Sequence, residues 1–305
     1  MSQASAAATL QRQPATVSAR IALIVFCLVA GLGYRASVSL IPAGLAEVIF
    51  VAALAALLLA AALVAKRQPA GIAYWEIPYA LFVFVAAALF GDGNVSPFQR
   101  LFVQDVLHES TSTNNPLAAT VTGTVLAQLF GTAMLAIPIV ALTKASGAGL
   151  ESIFLSRPKD WLTLVIALIV FVALYVLTMR GRTVSFFPVH GDASTARFIA
   201  FTPALVVLVL LNGFREELWF RALFLKKYAR LLGPVAANLL TAIVFVSFHV
   251  QVRYSASILP FLAYALLIGL VCGWMMQRSQ SILASTIFHA GTDIPIFLVY
   301  LSWTS

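Results

Sequence analysis

The stretch Leu211-Asn212-Gly213-Phe214-Arg215-Glu216-Glu217-Leu218-Trp219-Phe220-Arg221 sets two carboxylates and two guanidinium groups between apolar runs at 201–211 and 222–225. Charges at bilayer depth are costly; they survive where they face a bundle interior, pair with one another or carry function. On a helix, Glu217 and Arg221 lie four apart on one face, with the carboxylate on the N-terminal side, the favourable order for an ion pair. Glu216 is turned by about 100° from that face and has no such partner four residues on. The pattern predicts that Arg221 holds Glu217 ionised and that Glu216 is left alone in a dry site. A carboxyl group kept from water is protonated more readily near neutrality, which suits a general base. A buried structural ion cluster is the other reading of the same residues.

The rest of the chain sets these charges in a membrane. Of its 305 residues, 61% are hydrophobic and only 10% charged, with a mean hydropathy of +0.97, which excludes a soluble globular domain. The length suits an all-α polytopic transmembrane helix bundle of about eight or nine spans. The apolar runs fall at 21–40, 45–65, 77–90, 117–142, 161–179, 198–225, 234–250, 258–276 and 282–303. The first also reads as the apolar region of a signal peptide, with a signal anchor preferred. Residues 1–20, rich in Ala, Ser and Gln, read as a disordered tail, and 21–305 as one bundle without internal repeats. Within the polar interruption 91–115, residues 98–107 suit either a short helix on the membrane surface or a solvated loop. The net charge of +8 reflects loop placement and anionic lipid rather than a nucleic-acid partner. Cys27 and Cys272 both lie in apolar runs and read as packing residues, with no disulfide or Cys-based metal site. The expected location is the plasma membrane.

Two later motifs bear on Glu216. Phe245-Val246-Ser247-Phe248-His249 ends an apolar run in a histidine, and His289-Ala290-Gly291-Thr292-Asp293 sets a histidine and a carboxylate four apart inside the last span. A lone histidine on an apolar helix is more often a packing residue. Three separate spans that each deliver a titratable group are harder to dismiss, because each placement has its own cost. Counting residues along straight spans puts Glu216 and His289 about 10–15 Å from one membrane edge and His249 near the other. The three converge only if the helix from Pro234 starts below the membrane or tilts strongly.

The ordered set Glu-Glu-x-x-x-Arg, Phe-x-x-x-His and His-x-x-x-Asn/Asp resembles the CAAX prenyl protease type II family, the CPBP or Abi family of intramembrane glutamate proteases. The resemblance covers 203–296, expected to be the catalytic core; the first two hundred residues show none. It implies that Glu216 and His249 activate a water for attack on a peptide carbonyl, with Glu217 and Arg221 in support. It also implies that His289 and residue 293 stabilise the oxyanion. The chain departs from the pattern at 293, where Asp293 stands in place of the commoner Asn. A protonated Asp293 donates a hydrogen bond to the oxyanion; an ionised one orients a charged His289 instead.

The resemblance implies no cofactor. A metal site of Glu216, His249 and His289 is chemically possible, but no His-Glu-x-x-His pattern is present, and serine catalysis singles out neither Ser247 nor Ser285. The partners expected are membrane lipid and a peptide or protein substrate. A catalytically silent scaffold or partner-binding protein of the same fold is the alternative, as is a proton-coupled transporter. A transporter would be expected to show two related halves, and none is visible.

Overall fold

A computed structural model describes residues 16–42, 44–69, 71–92, 95–181, 189–191, 194–250 and 257–304. Every regular element among them is helical. In order they are α1 (Val17–Leu40), α2 (Leu45–Arg67), α3 (Glu76–Gly91), α4 (Pro97–Leu101), α5 (Val121–Ala145), α6 (Trp161–Met179), α7 (Thr195–Glu216), α8 (Leu225–Leu232), α9 (Pro234–Ser247), α10 (Ile258–Ser279) and α11 (Ile282–Ser302). Two π-helical turns, Phe102–Val106 and Glu217–Ala222, and a 3-10 turn, Leu150–Ile153, complete the set. Seven helices are long and apolar enough to cross a membrane, with α7 and α8 forming one 38-residue piece, Thr195–Leu232; α3 and α9 are shorter apolar helices. The nine apolar runs of the sequence each lie on one of these helices, so the chain is an all-helical, multi-pass membrane bundle. The residues expected as a tail fall partly outside the described part, at 1–15; from Val17 the chain is already helical, capped by Thr16, whose hydroxyl accepts from the Ala19 amide.

Polar residues between the apolar runs start the helices by taking up amides that have no partner inside the helix. Thr120 caps α5, Asp160 caps α6, Ser194 caps α7 and Ser281 caps α11. Asp160 also meets Arg278 at the end of α10, and that guanidinium, with Thr163, holds its carboxyl below the usual range. Residues 98–107 form the short helix α4 and the π turn that follows it, with Phe98, Leu101 and Val106 exposed. The stretch is helical rather than a loop.

The last helix is the axis of the bundle. Of its span, 83% is buried, against 17% for α6. It packs on α7, α6 and α10; α7 also rests on α5, α5 on α3 and α3 on α2. On the other flank α9 packs against α10, α8 and α1. α7 and α11 come close at Gly213, where a Cβ would fall 2.8 Å from the Thr286 carbonyl oxygen. The absent side chain lets two polar helix faces meet at backbone distance, an interface device common in membranes. Residues 212–217 and 289–293 therefore come face to face.

Candidate active site

Glu216 ends α7, and the next residue opens the π turn. All six residues of that turn, Glu217–Ala222, are buried. A π turn takes more residues per turn than an α-helix and is found most often as a single turn at functional sites. Here it carries Glu217 and Arg221 inward together. The Arg221 Nη1 donates to Glu217 Oε1, and neither side chain has any exposed surface. The Arg221 Nε donates to the carbonyl of Gly269 at 3.2 Å, and its guanidinium lies 4.2 Å from the Phe245 ring centre. Gly269 leaves room for the guanidinium, since a Cβ would sit 3.0 Å from Arg221 Nη2. The predicted pair is present and sealed from water.

His289 joins this pair to the second carboxylate. Its Nδ1 lies 2.7 Å from Glu217 Oε1, and its Nε2 lies 3.4 Å from Glu216 Oε2 and 3.7 Å from Asp293 Oδ1. A carboxylate already accepting from a guanidinium accepts again from Nδ1–H, and with Nε2 facing two further carboxyl oxygens both ring nitrogens meet acceptors, the arrangement of a protonated ring. The Phe245 ring packs edge-on against His289 at 5.6 Å and closes the far side.

Glu216 is placed differently from its neighbour. Its side chain keeps 20% exposure, and it borders a cavity of about 330 Å³ together with His249, Asp293 and Asn212. The site is not dry. Glu216 also has a partner on its own helix, one turn before rather than one turn after: the Asn212 Nδ2 donates to Glu216 Oε1 at 3.2 Å and to Asp293 Oδ2 at 2.8 Å. Its other carboxyl oxygen has no hydrogen-bond partner among the described residues.

His249 reaches the same cavity from the end of α9. The helix has 14 residues, about 21 Å of rise against a hydrocarbon core of about 30 Å. The separation expected from straight, full-length spans does not arise: α9 ends at Ser247, and His249 borders the same cavity as Glu216. The His249 Nδ1 lies 2.9 Å from the Phe245 carbonyl oxygen. A carbonyl only accepts, so Nδ1 carries the hydrogen and Nε2 is left with its lone pair.

All six residues singled out in the sequence, Glu216, Glu217, Arg221, His249, His289 and Asp293, thus fall in one neighbourhood. Glu216, His249 and Asp293 border the cavity; Glu217, Arg221 and His289 lie behind it. Residues 198–295 match the model of a family described as type II CAAX prenyl endopeptidase Rce1-like. The match covers about a third of the chain, which is to that extent similar to this family. No curated protein and no solved structure matches the chain. The matched segment holds most of α7, all of α8–α10 and most of α11, and with them all six residues; the match supports an intramembrane protease role of the CAAX type.

The sequence reading missed Asn212 and Gln128. Asn212 stands one turn before Glu216, a spacing that a search for partners in both directions along the helix would have found. Gln128, on α5 and outside the matched segment, donates from Nε2 to Asn212 Oδ1 at 3.2 Å. Its only signal was an amide inside an apolar span. Arg35 of α1 and Arg215 of α7 also reach the cavity.

Among the described residues, the side chains close enough to share a metal ion are Glu217, Cys272 and His289, with ligand atoms within 4.8 Å of one another. The trio considered from the sequence, Glu216, His249 and His289, is not grouped so tightly. Nor does the observed trio suit a cation. Glu217 is already bound to Arg221 and His289, and an ion there would face the buried guanidinium.

Proposed function

We propose that the chain is a membrane-embedded endopeptidase that hydrolyses peptide bonds of membrane-associated peptides or proteins with a water activated by Glu216. Glu216 takes a proton from the water as its oxygen adds to the peptide carbonyl carbon. The carbonyl electron pair moves onto oxygen, where Asp293 donates a hydrogen bond. On collapse the C–N bond breaks, and the proton held by Glu216 passes to the leaving nitrogen. His249 accepts a hydrogen bond from the water through Nε2 and orients it. Glu217 and Arg221 hold the imidazole of His289, whose Nε2 faces both cavity carboxyl groups. No metal takes part, and membrane lipid and a peptide or protein segment are the partners.

The observation that carries this reading is the division of the site. The groups needed to touch water and substrate border one cavity; the ion pair and the imidazole that hold them are sealed behind it. A cavity of about 330 Å³ is at the small end of ligand sites and holds a short segment rather than a folded chain. Cleavage of a peptide library by the purified protein, native and Glu216→Ala, is the test. Cleavage by the native chain alone is expected; equal activity of the two sinks the assignment of Glu216.

A further inference from the structure

Glu216 and Asp293 come from different helices, yet they share a partner on each side. The amide of Asn212 donates to one oxygen of each, at 3.2 and 2.8 Å. The Nε2 of His289 faces the other oxygen of each, at 3.4 and 3.7 Å. Asn212 cannot reverse without loss, since its Oδ1 accepts from Gln128 Nε2, and the reversed amide would turn an oxygen towards two carboxyl groups.

The charges in contact favour one proton on the pair. Glu217 and Arg221 cancel as a contact pair. The groups in contact beyond that pair are His289, Glu216 and Asp293. With His289 protonated and both carboxyl groups ionised, these three carry one excess negative charge, an unfavourable state in a largely enclosed site. Two carboxylates gathered round one amide also repel each other, and such pairs hold a proton between them. One added proton makes the group neutral.

We propose that Glu216 and Asp293 share a single proton as an acid–base pair, held together by Asn212, whose amide is oriented by Gln128. The inference rests on the reading of Glu216 as the base and deepens it. The ionised member takes the proton of the water while the protonated member offers its O–H to the carbonyl oxygen. An Asn at 293 supplies a donor but no proton to exchange, so the Asp of this chain changes how the site holds its protons. Asn212 and Gln128 are positioning residues. The other charged or titratable groups near the pair are His249 at the end of α9, Tyr264 and Cys272 on α10 and Tyr300 on α11. Arg35 of α1, Arg215 of α7 and Asp92 after α3 stand at the cavity wall.

The test reads the proton directly, without substrate. Infrared spectra of the purified full-length protein, recorded against pH, show the carbonyl stretch of protonated carboxylic acids. For a shared proton, Glu216→Gln and Asp293→Asn each remove the whole of one acid band, and the double variant removes no more. A band lost in only one single variant, losses that add in the double variant, or no band assignable to either residue overturns the proposal. Gln128→Leu should move the pH at which the band disappears. It should also lower kcat by roughly tenfold or more, with KM and melting temperature unchanged; a fall in melting temperature with the band unmoved makes Gln128 a packing residue only. If the band behaves as expected and no peptide is cleaved, the pair stands and the protease reading falls.

Discussion

On one side of the peptide bond between Glu216 and Glu217, the carboxyl group borders a cavity, keeps 20% exposure and accepts from a neutral amide. On the other side, the carboxylate has no exposed surface and is bound to a guanidinium and an imidazole. The residue types are the same and the positions adjacent. What separates them is the turn of about 100° between neighbouring helical residues, which sends one side chain towards the cavity and Asp293 and the other inward to Arg221 and His289. The sealed side can be asked for stability, and the cavity side for chemistry.

The comparison can be broken at four places. Arg221→Met leaves Glu217 without its cation in a buried site, and the account expects a loss of about 3–5 kcal/mol, read as a lower melting temperature in detergent; a native melting temperature would remove the structural role. Next in size is Asp293. Truncation to Ala should lower turnover about 100-fold, while Asp293→Asn keeps a donor and stays active. Equal inactivity of the two from pH 5 to 9 would mean that charge at 293, and not a donor, is what the site requires.

Gly213→Ala probes the contact that joins the two sides. Its Cβ would press on the Thr286 carbonyl, and overpacking of this kind costs roughly 1–3 kcal/mol. Activity should fall with stability, because Glu216 and Asp293 are then held on helices pushed apart. Activity lost with stability intact would show that the contact tunes the site without holding the fold. The smallest effect concerns metal. Turnover should be unchanged after dialysis against a strong chelator, and a loss that zinc restores would favour metal catalysis.

Most of the fold was legible, because a membrane span announces itself by length and hydropathy alone, and each of the nine apolar runs is a helix. The depth of the site was not. His249 was placed on the assumption that its run crosses the full membrane, whereas α9 ends after Ser247. Glu217 with Arg221 could be read from their spacing, since four residues bring side chains together on an α-helix and nearly so on a π turn. The π turn itself left no mark in the sequence. Asn212 stands one turn before Glu216 in the sequence, but the cavity that Glu216 borders comes only from the packing of the helices. The link of Glu216 to Asp293 through Asn212, and the hold of Gln128 on that amide, depend on α5, α7 and α11 meeting in space, which no single segment encodes.

The division between the two adjacent carboxylates is tested most directly by Glu216→Gln and Glu217→Gln, purified side by side and measured for both peptide cleavage and melting temperature. The account predicts that Glu216→Gln melts as the native protein does and loses at least 100-fold in turnover, while Glu217→Gln melts markedly earlier. Equal melting of the two variants, or full turnover by Glu216→Gln, would contradict it.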